Sequence, residues 1–176
     1  EMLDSEMFKY HIDFDQLKIT ENCGAICVSR PTNPTGNVLT DNEILKLDKL
    51  AKENNVPLII DGAYGTPFPG LIFSEATPYW NDNIILCLSL SKFGLPAART
   101  GIVIAKPTII KSISSMNAIM NLATGSFGSL LAVNLLKSRD IISLSQKVVK
   151  PYYEDKAERA RDFLLQKLKG LPVKLH

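Results

Sequence analysis

The sequence predicts an α/β protein built on a mostly parallel sheet flanked by helices. Short runs at residues 25–29, 56–60, 84–88 and 101–105 have strand length and are rich in Ile, Val and Leu. Stretches with apolar residues at helical spacing lie between or after them. Near-continuous apolar strands alternating with helices are the pattern of parallel sheets covered on both faces.

Taken in order, Phe8, Tyr10, Ile12 and Phe14 alternate along the chain and predict a short edge strand. Residues 25–29 form the first buried strand, closed by the proline turn at Arg30-Pro31. Thr40 and Glu43 have capping-box spacing, so a helix is expected next, with Ile44, Leu47, Leu50 and Ala51 on its apolar face. Asn54-Asn55 ends it, and residues 56–60 make the second strand. Gly62, Gly65, Pro67, Pro69 and Gly70 mark a long irregular segment before the strands at 84–88 and 101–105. Pro107 suits the first turn of a helix running through Ile109, Ile110, Ile113 and Met116. Gly125 and Gly128 interrupt the helical pattern, and residues 130–136 resume it. From Ile141 to about Leu168 the spacing is helical again, with a kink or break expected at Pro151. Pro172-Val173-Lys174-Leu175-His176 reads as a new strand cut short.

A length of 176 residues suffices for one domain with a buried core. The net charge of +2 gives no reason to expect a nucleic-acid or membrane surface, and no apolar run reaches membrane-spanning length. The opening Glu1-Met2-Leu3-Asp4 lacks the order of a signal peptide and an initiator Met, so an internal piece of a longer protein is expected. Cys23, Cys27, Cys87, His11 and His176 do not have metal-ligand spacing, and no metal site is predicted. Three sparse cysteines suit reduced, buried or half-buried thiols in a cytoplasmic protein. No G-x-G-x-x-G follows any strand, which argues against a plain dinucleotide-binding domain.

In parallel α/β sheets ligands bind beyond the carboxyl ends of the strands. Asn33-Pro34-Thr35-Gly36 follows the first strand there, Asp61-Gly62-Ala63-Tyr64 the second, and Ser89-Leu90-Ser91-Lys92 the third. Arg99-Thr100-Gly101 leads into the fourth. Taken singly, each has a plain structural reading: a turn, a chain reversal, a helix cap and a solvated arginine. Jointly they put an amide, a carboxylate, a phenol, hydroxyls, an ammonium and a guanidinium on one sheet edge.

These motifs resemble, in order and spacing, the core of the fold-type I pyridoxal-phosphate aminotransferases. Asp61 follows Asn33 by 28 residues, and Lys92 follows Asp61 by 31. The stretches around residues 29–38, 63–70 and 88–96 are most similar to the bacterial valine–pyruvate branch of that family. The resemblance implies pyridoxal 5'-phosphate as cofactor, with Lys92 as the residue bonded to its aldehyde and Asp61 as the partner of its ring nitrogen. It implies that Asn33 and Tyr64 donate to the ring hydroxyl oxygen, and that Ser89, Ser91 and Arg99 hold the phosphate. Arg99 follows Lys92 by seven residues, one fewer than the family often has. As a proton carrier Lys92 needs a neutral amine, which a desolvated site would favour.

The implied reaction exchanges an amino group between an aliphatic amino acid, valine or alanine, and a 2-oxo acid, pyruvate or 2-oxoisovalerate. Two alternatives use the same residues: a carbon–sulfur β-lyase, and a non-catalytic aminotransferase-like sensor domain. On the resemblance, residues 1–176 form part of the cofactor-binding large domain. The N-terminal part of that domain and the C-terminal small domain, with the substrate-carboxylate arginine, are expected outside this chain. A homodimer is expected for the full-length protein, and no transaminase activity from the 176 residues alone.

Overall fold

The computed structural model describes residues 7–175; the opening Glu1-Met2-Leu3-Asp4 and the terminal His176 lie outside the described residues. Among the described residues, four strands, β1 (Ile26–Ser29), β2 (Leu58–Asp61), β3 (Ile84–Ser89) and β4 (Gly101–Ile104), form one sheet in chain order. The first three run parallel, and β4 runs antiparallel to β3. That reversal matters: it brings the start of β4 beside the carboxyl end of β3, so Gly101 pairs with Ser89. An antiparallel edge strand on an otherwise parallel sheet is a common arrangement.

Helix α1 (Asp41–Glu53) crosses from β1 to β2. Thr40 caps it in a complete capping box with Glu43, and Asn55 ends the turn in the left-handed region at φ 52°. Its apolar face, Ile44, Leu47 and Ala51, is buried against Leu58, Ile60, Ile84 and Leu86 of the sheet. Phe68, Leu88, Leu90, Ala132 and Ile141 extend the same core. Removing a buried leucine from such a cluster costs about 2–5 kcal/mol.

Helices α2 (Pro107–Asn121), α3 (Phe127–Ser138), α4 (Asp140–Leu144) and α5 (Lys150–Leu168) complete the chain. The expected interruption of the helical pattern falls between α2 and α3, at Gly125; Gly128, expected to interrupt it too, lies in the first turn of α3. At Pro151 the helical path continues: a π-helical turn, Ser145–Val149, joins α4 to α5 just ahead of the proline. A wider turn accommodates a residue that lacks an N–H and would clash with the preceding turn of an α-helix.

Several expectations are corrected. Among the described residues, the alternation at Phe8 to Phe14 forms no strand; Met7 makes one isolated parallel bridge to Leu175, which is also all the strand structure found in the described part of the last segment. The Ile12 N–H bonds instead to the Glu43 carboxylate, and Asp13 folds the chain into a turn. Second, the sheet is buried on one face only. Ile59, Ile85 and Cys87 on the other face are half-buried, Cys27 is exposed and Val103 is 38% exposed. The expectation of buried or half-buried thiols therefore fails for Cys27, which lies on this open face.

Candidate active site

Strand alternation sets the first layer of the site. Residues of one parity in β1, β2 and β3 face the core, so Ser29, Asp61, Cys87 and Ser89 share the open face near the carboxyl edge. Asp61 is the last residue of β2, level with Ser29 on one side and Cys87 on the other. Its carboxylate accepts one hydrogen bond, from the Ala63 N–H at 3.0 Å, and is exposed.

Beyond β3 the chain turns tightly. The Ser91 N–H donates to Ser89 Oγ at 3.1 Å, which leaves the Ser89 hydroxyl proton to point elsewhere. Lys92 follows, exposed, with Nζ 5.0 Å from the centre of the Tyr64 ring. That contact is a cation–π geometry and joins the two sequence motifs in space. The desolvation expected around Lys92 is not supplied by the described residues.

Arg99 closes a short 3-10 turn, Pro96–Ala98, and lies in the left-handed region at φ 45° and ψ 45°. A non-glycine residue held there costs on the order of 1–2 kcal/mol, and such strain gathers at functional sites. Helix α3 packs against this lead-in: a methyl added at Gly128 would sit 2.9 Å from the Ala98 carbonyl oxygen and 2.7 Å from Thr100 Cβ. Among the described residues, Lys92, Asp61 and Arg99 have no salt bridge, although other charges in the chain are paired.

Asn33 stands exposed on the turn after β1. It borders a cavity of about 760 Å³ together with Tyr64, Phe73, Tyr153 and Lys156, a volume in the range of small-ligand sites. Lys92, Asp61, Ser89 and Arg99 do not line this cavity; they stand on the open sheet edge, with Tyr64 as the residue shared by both places.

Two participants escaped sequence reasoning. Cys87 sits level with Asp61 on the open face, where burial pushes its thiol up and the Asp61 carboxylate adds to the effect. Its parity with Ser89 in the same strand was the available signal. Arg30, read only as the start of a proline turn, is 5% exposed. It reaches Leu39, Thr77 and Asp41 through three nitrogens. Hydrogen bonds from Thr77, and then the Arg30 guanidinium, hold the Asp41 carboxyl at about 2. A charged residue directly after an apolar strand run was the hint.

The described residues contain no cluster of His, Cys, Asp and Glu able to hold a metal ion, and no helix long and apolar enough to cross a membrane.

Residues 3–174 match the family model for aminotransferase class I and II. The chain is 55% identical over 158 residues to the valine–pyruvate aminotransferase of Escherichia coli K12, covering 90% of this chain and 38% of that protein. It superimposes on the crystal structure of valine–pyruvate aminotransferase from Salmonella typhimurium LT2 with a TM-score of 0.89 and 52% identity, over 94% of this chain and 43% of that one. An aspartate aminotransferase of Pyrococcus horikoshii is 28% identical over 88% of the chain and 39% of its own length. The chain thus spans less than half the length of these relatives.

Proposed function

This chain belongs to the class I and II aminotransferases, and on that footing we propose that it is the cofactor-holding part of an enzyme exchanging an amino group between valine or alanine and a 2-oxo acid, pyruvate or 2-oxoisovalerate. The identity of 55% with a valine–pyruvate aminotransferase supports that pair of substrates. The observation that carries the reading is the uncompensated set of charges at one sheet edge, Lys92, Asp61 and Arg99, with Tyr64 against the lysine.

The donor set fits pyridoxal 5'-phosphate: an amine for its aldehyde, a carboxylate for its ring nitrogen, and hydroxyls with a guanidinium for its phosphate. When bound, that group supplies an aldehyde and a ring that withdraws electrons from the substrate α-carbon. Lys92 Nζ, with no carboxylate paired to it among the described residues, would, once released from that aldehyde and neutral, move the proton from the substrate α-carbon to the former aldehyde carbon. Asp61 holds a proton on the ring nitrogen; a hydrogen bond of that charge-assisted kind contributes on the order of 1.5–3 kcal/mol. Asn33 and Tyr64 donate to the ring hydroxyl oxygen. Ser89 and Arg99 hold the phosphate, Arg99 through its forked donors. The Ser91 hydroxyl is the weaker contributor to the same phosphate.

Exposed apolar side chains on α2 and α3 and just after α2, including Ile119, Met120, Leu122 and Phe127, support a homodimer for the whole protein. Three unpaired thiols, Cys23, Cys27 and Cys87, support a reducing, cytoplasmic setting.

Borohydride reduction of the full-length protein loaded with pyridoxal phosphate, followed by peptide mapping, tests the assignment. The expected adduct is on Lys92; an adduct on another lysine overturns it. Product analysis with valine and pyruvate should give a new amino acid. Ammonia and pyruvate released from a cysteine conjugate, without such transfer, would make the protein a lyase.

A further inference from the structure

We propose that Arg30 is a positioning residue for this reaction: its single buried guanidinium closes the bases of the two loops that present Asn33 and Tyr64, and so fixes both donors relative to Asp61. The inference rests on the cofactor reading above. Arg30 follows the last residue of β1. Its Nε donates to the Leu39 carbonyl at 2.7 Å and its Nη1 to the Thr77 carbonyl at 3.1 Å. Its Nη2 pairs with the Asp41 carboxylate, which also accepts the Thr77 N–H at 3.0 Å.

Residues 31–40, with Asn33, leave the core at Arg30 and return at the two points the guanidinium holds, Leu39 and Asp41. Residues 62–77, with Tyr64, return at the third, Thr77. The backbone of Arg30 completes the junction. Its N–H donates to the Asp61 carbonyl at 2.9 Å, and a methyl at Gly65 would collide with its carbonyl oxygen. One residue thus touches the strand end carrying Asp61, the segment carrying Tyr64 and both ends of the loop carrying Asn33.

The chemistry of the side chain explains why arginine stands here. Three acceptors on separate segments require a rigid planar fork, which a lysine ammonium does not provide. A cation this deeply buried is tolerated only when it is paired and hydrogen-bonded, and here each of its three nitrogens has an acceptor. Closing two loops at their base removes conformational freedom from tips that are otherwise exposed. An amide that must meet one ring oxygen loses effect when displaced by about an ångström.

The test uses the full-length protein with pyridoxal phosphate bound. The readout is the pH midpoint at which the bound cofactor's visible absorption changes, which Asn33 and Tyr64 set on the reading above. Arg30→Ala and Arg30→Lys should each move that midpoint by about half a pH unit or more, an about threefold change in the proton equilibrium. Asn33→Ala should move it in the same direction, and the double variant by less than the sum of the two shifts. Asp41→Asn, which keeps both carbonyl contacts, should give a smaller shift and serves in place of Arg30→Ala if that variant does not fold. A midpoint unmoved in the Arg30 and Asp41 variants, with only the melting temperature lowered, overturns the proposal; so do shifts that simply add. Borohydride labelling separates the two levels. Wild-type label away from Lys92 sinks the cofactor reading itself, whereas label on Lys92 with an unmoved midpoint sinks only the role of Arg30.

Discussion

Asp61 illustrates how much one position in a strand decides. Being the last residue of β2 takes it out of the ladder's interior, and its parity turns it to the open face. Among the described residues no cation pairs with it, so its charge is available to a protonated ring nitrogen. Asp61→Asn keeps the shape and removes the charge. In the full-length protein, cofactor affinity should fall by about 10- to 100-fold, the equivalent of the 1.5–3 kcal/mol of a charged hydrogen bond. Turnover should fall further, because the electrons drawn into the ring exist only on the way through the reaction. Equilibrium titration of the cofactor and single-turnover rates check both halves, and an unchanged rate in the variant would remove Asp61 from the mechanism. The placement of Lys92, Asp61, Tyr64, Asn33, Ser89 and Arg99 near the strand ends was legible because each follows or precedes an apolar run at a predictable edge. Arg30 and Cys87 were not. What distinguishes them is burial and cross-strand register, and neither is written in local sequence.

At the scale of elements, helix α1 was the most legible part of the chain because its ends and its face all carry the same message. Thr40 and Glu43 cap it, Ile44, Leu47 and Ala51 seat it, and Asn54-Asn55 stop it. The first segment misled for an equally physical reason. Alternation at Phe8, Tyr10, Ile12 and Phe14 satisfies a strand pattern, but a strand also needs a neighbour, and here the Ile12 N–H is taken by Glu43. The antiparallel direction of β4 was also outside the reach of the pattern, which records that a strand exists and not which way it runs. Glu43 ties these pieces together. Burial pushes its carboxyl up, yet hydrogen bonds from Thr40, Ile12 and His11 outweigh that and bring it from an ordinary 4.5 to about 2. A carboxyl with a depressed folded-state value stabilises the fold above its unfolded value and ceases to do so as pH falls through the folded one. Stability should therefore drop between about pH 4.5 and pH 2 by an amount on the order of 3 kcal/mol from this group. Urea midpoints at pH 7 and pH 3 will show it, and Glu43→Gln should lower the first while flattening the difference. A variant that keeps the wild-type slope would place the acid sensitivity in other carboxyls.

At the scale of the whole molecule, the distribution of apolar surface sets the behaviour of the chain taken by itself. One face of the sheet, with α1 and parts of α3 and α4, holds the core. The other face leaves Ile59, Ile85, Cys87 and Val103 partly in water. Helices α2 and α5 have no buried residue, and Ile119, Met120 and Leu122 are 80–89% exposed. Surface of this kind, contiguous along a helix, seldom stays in water when a second surface is within reach. Expressed as 176 residues alone, the chain should self-associate at micromolar concentration and bind a hydrophobic dye strongly. It should also show little turnover, since Lys92 and Asp61 stand exposed on the open edge and share only Tyr64 with the cavity beside Asn33. If the whole protein covers that surface, as the proposed homodimer requires, it should show neither dye binding nor concentration-dependent growth beyond a defined oligomer. Light scattering across a dilution series of both proteins measures the difference. A monodisperse, dye-free monomer of the short chain would mean that the open sheet face and the apolar helices are folded over one another in solution, and the one-sided burial of the sheet would then have to be redrawn.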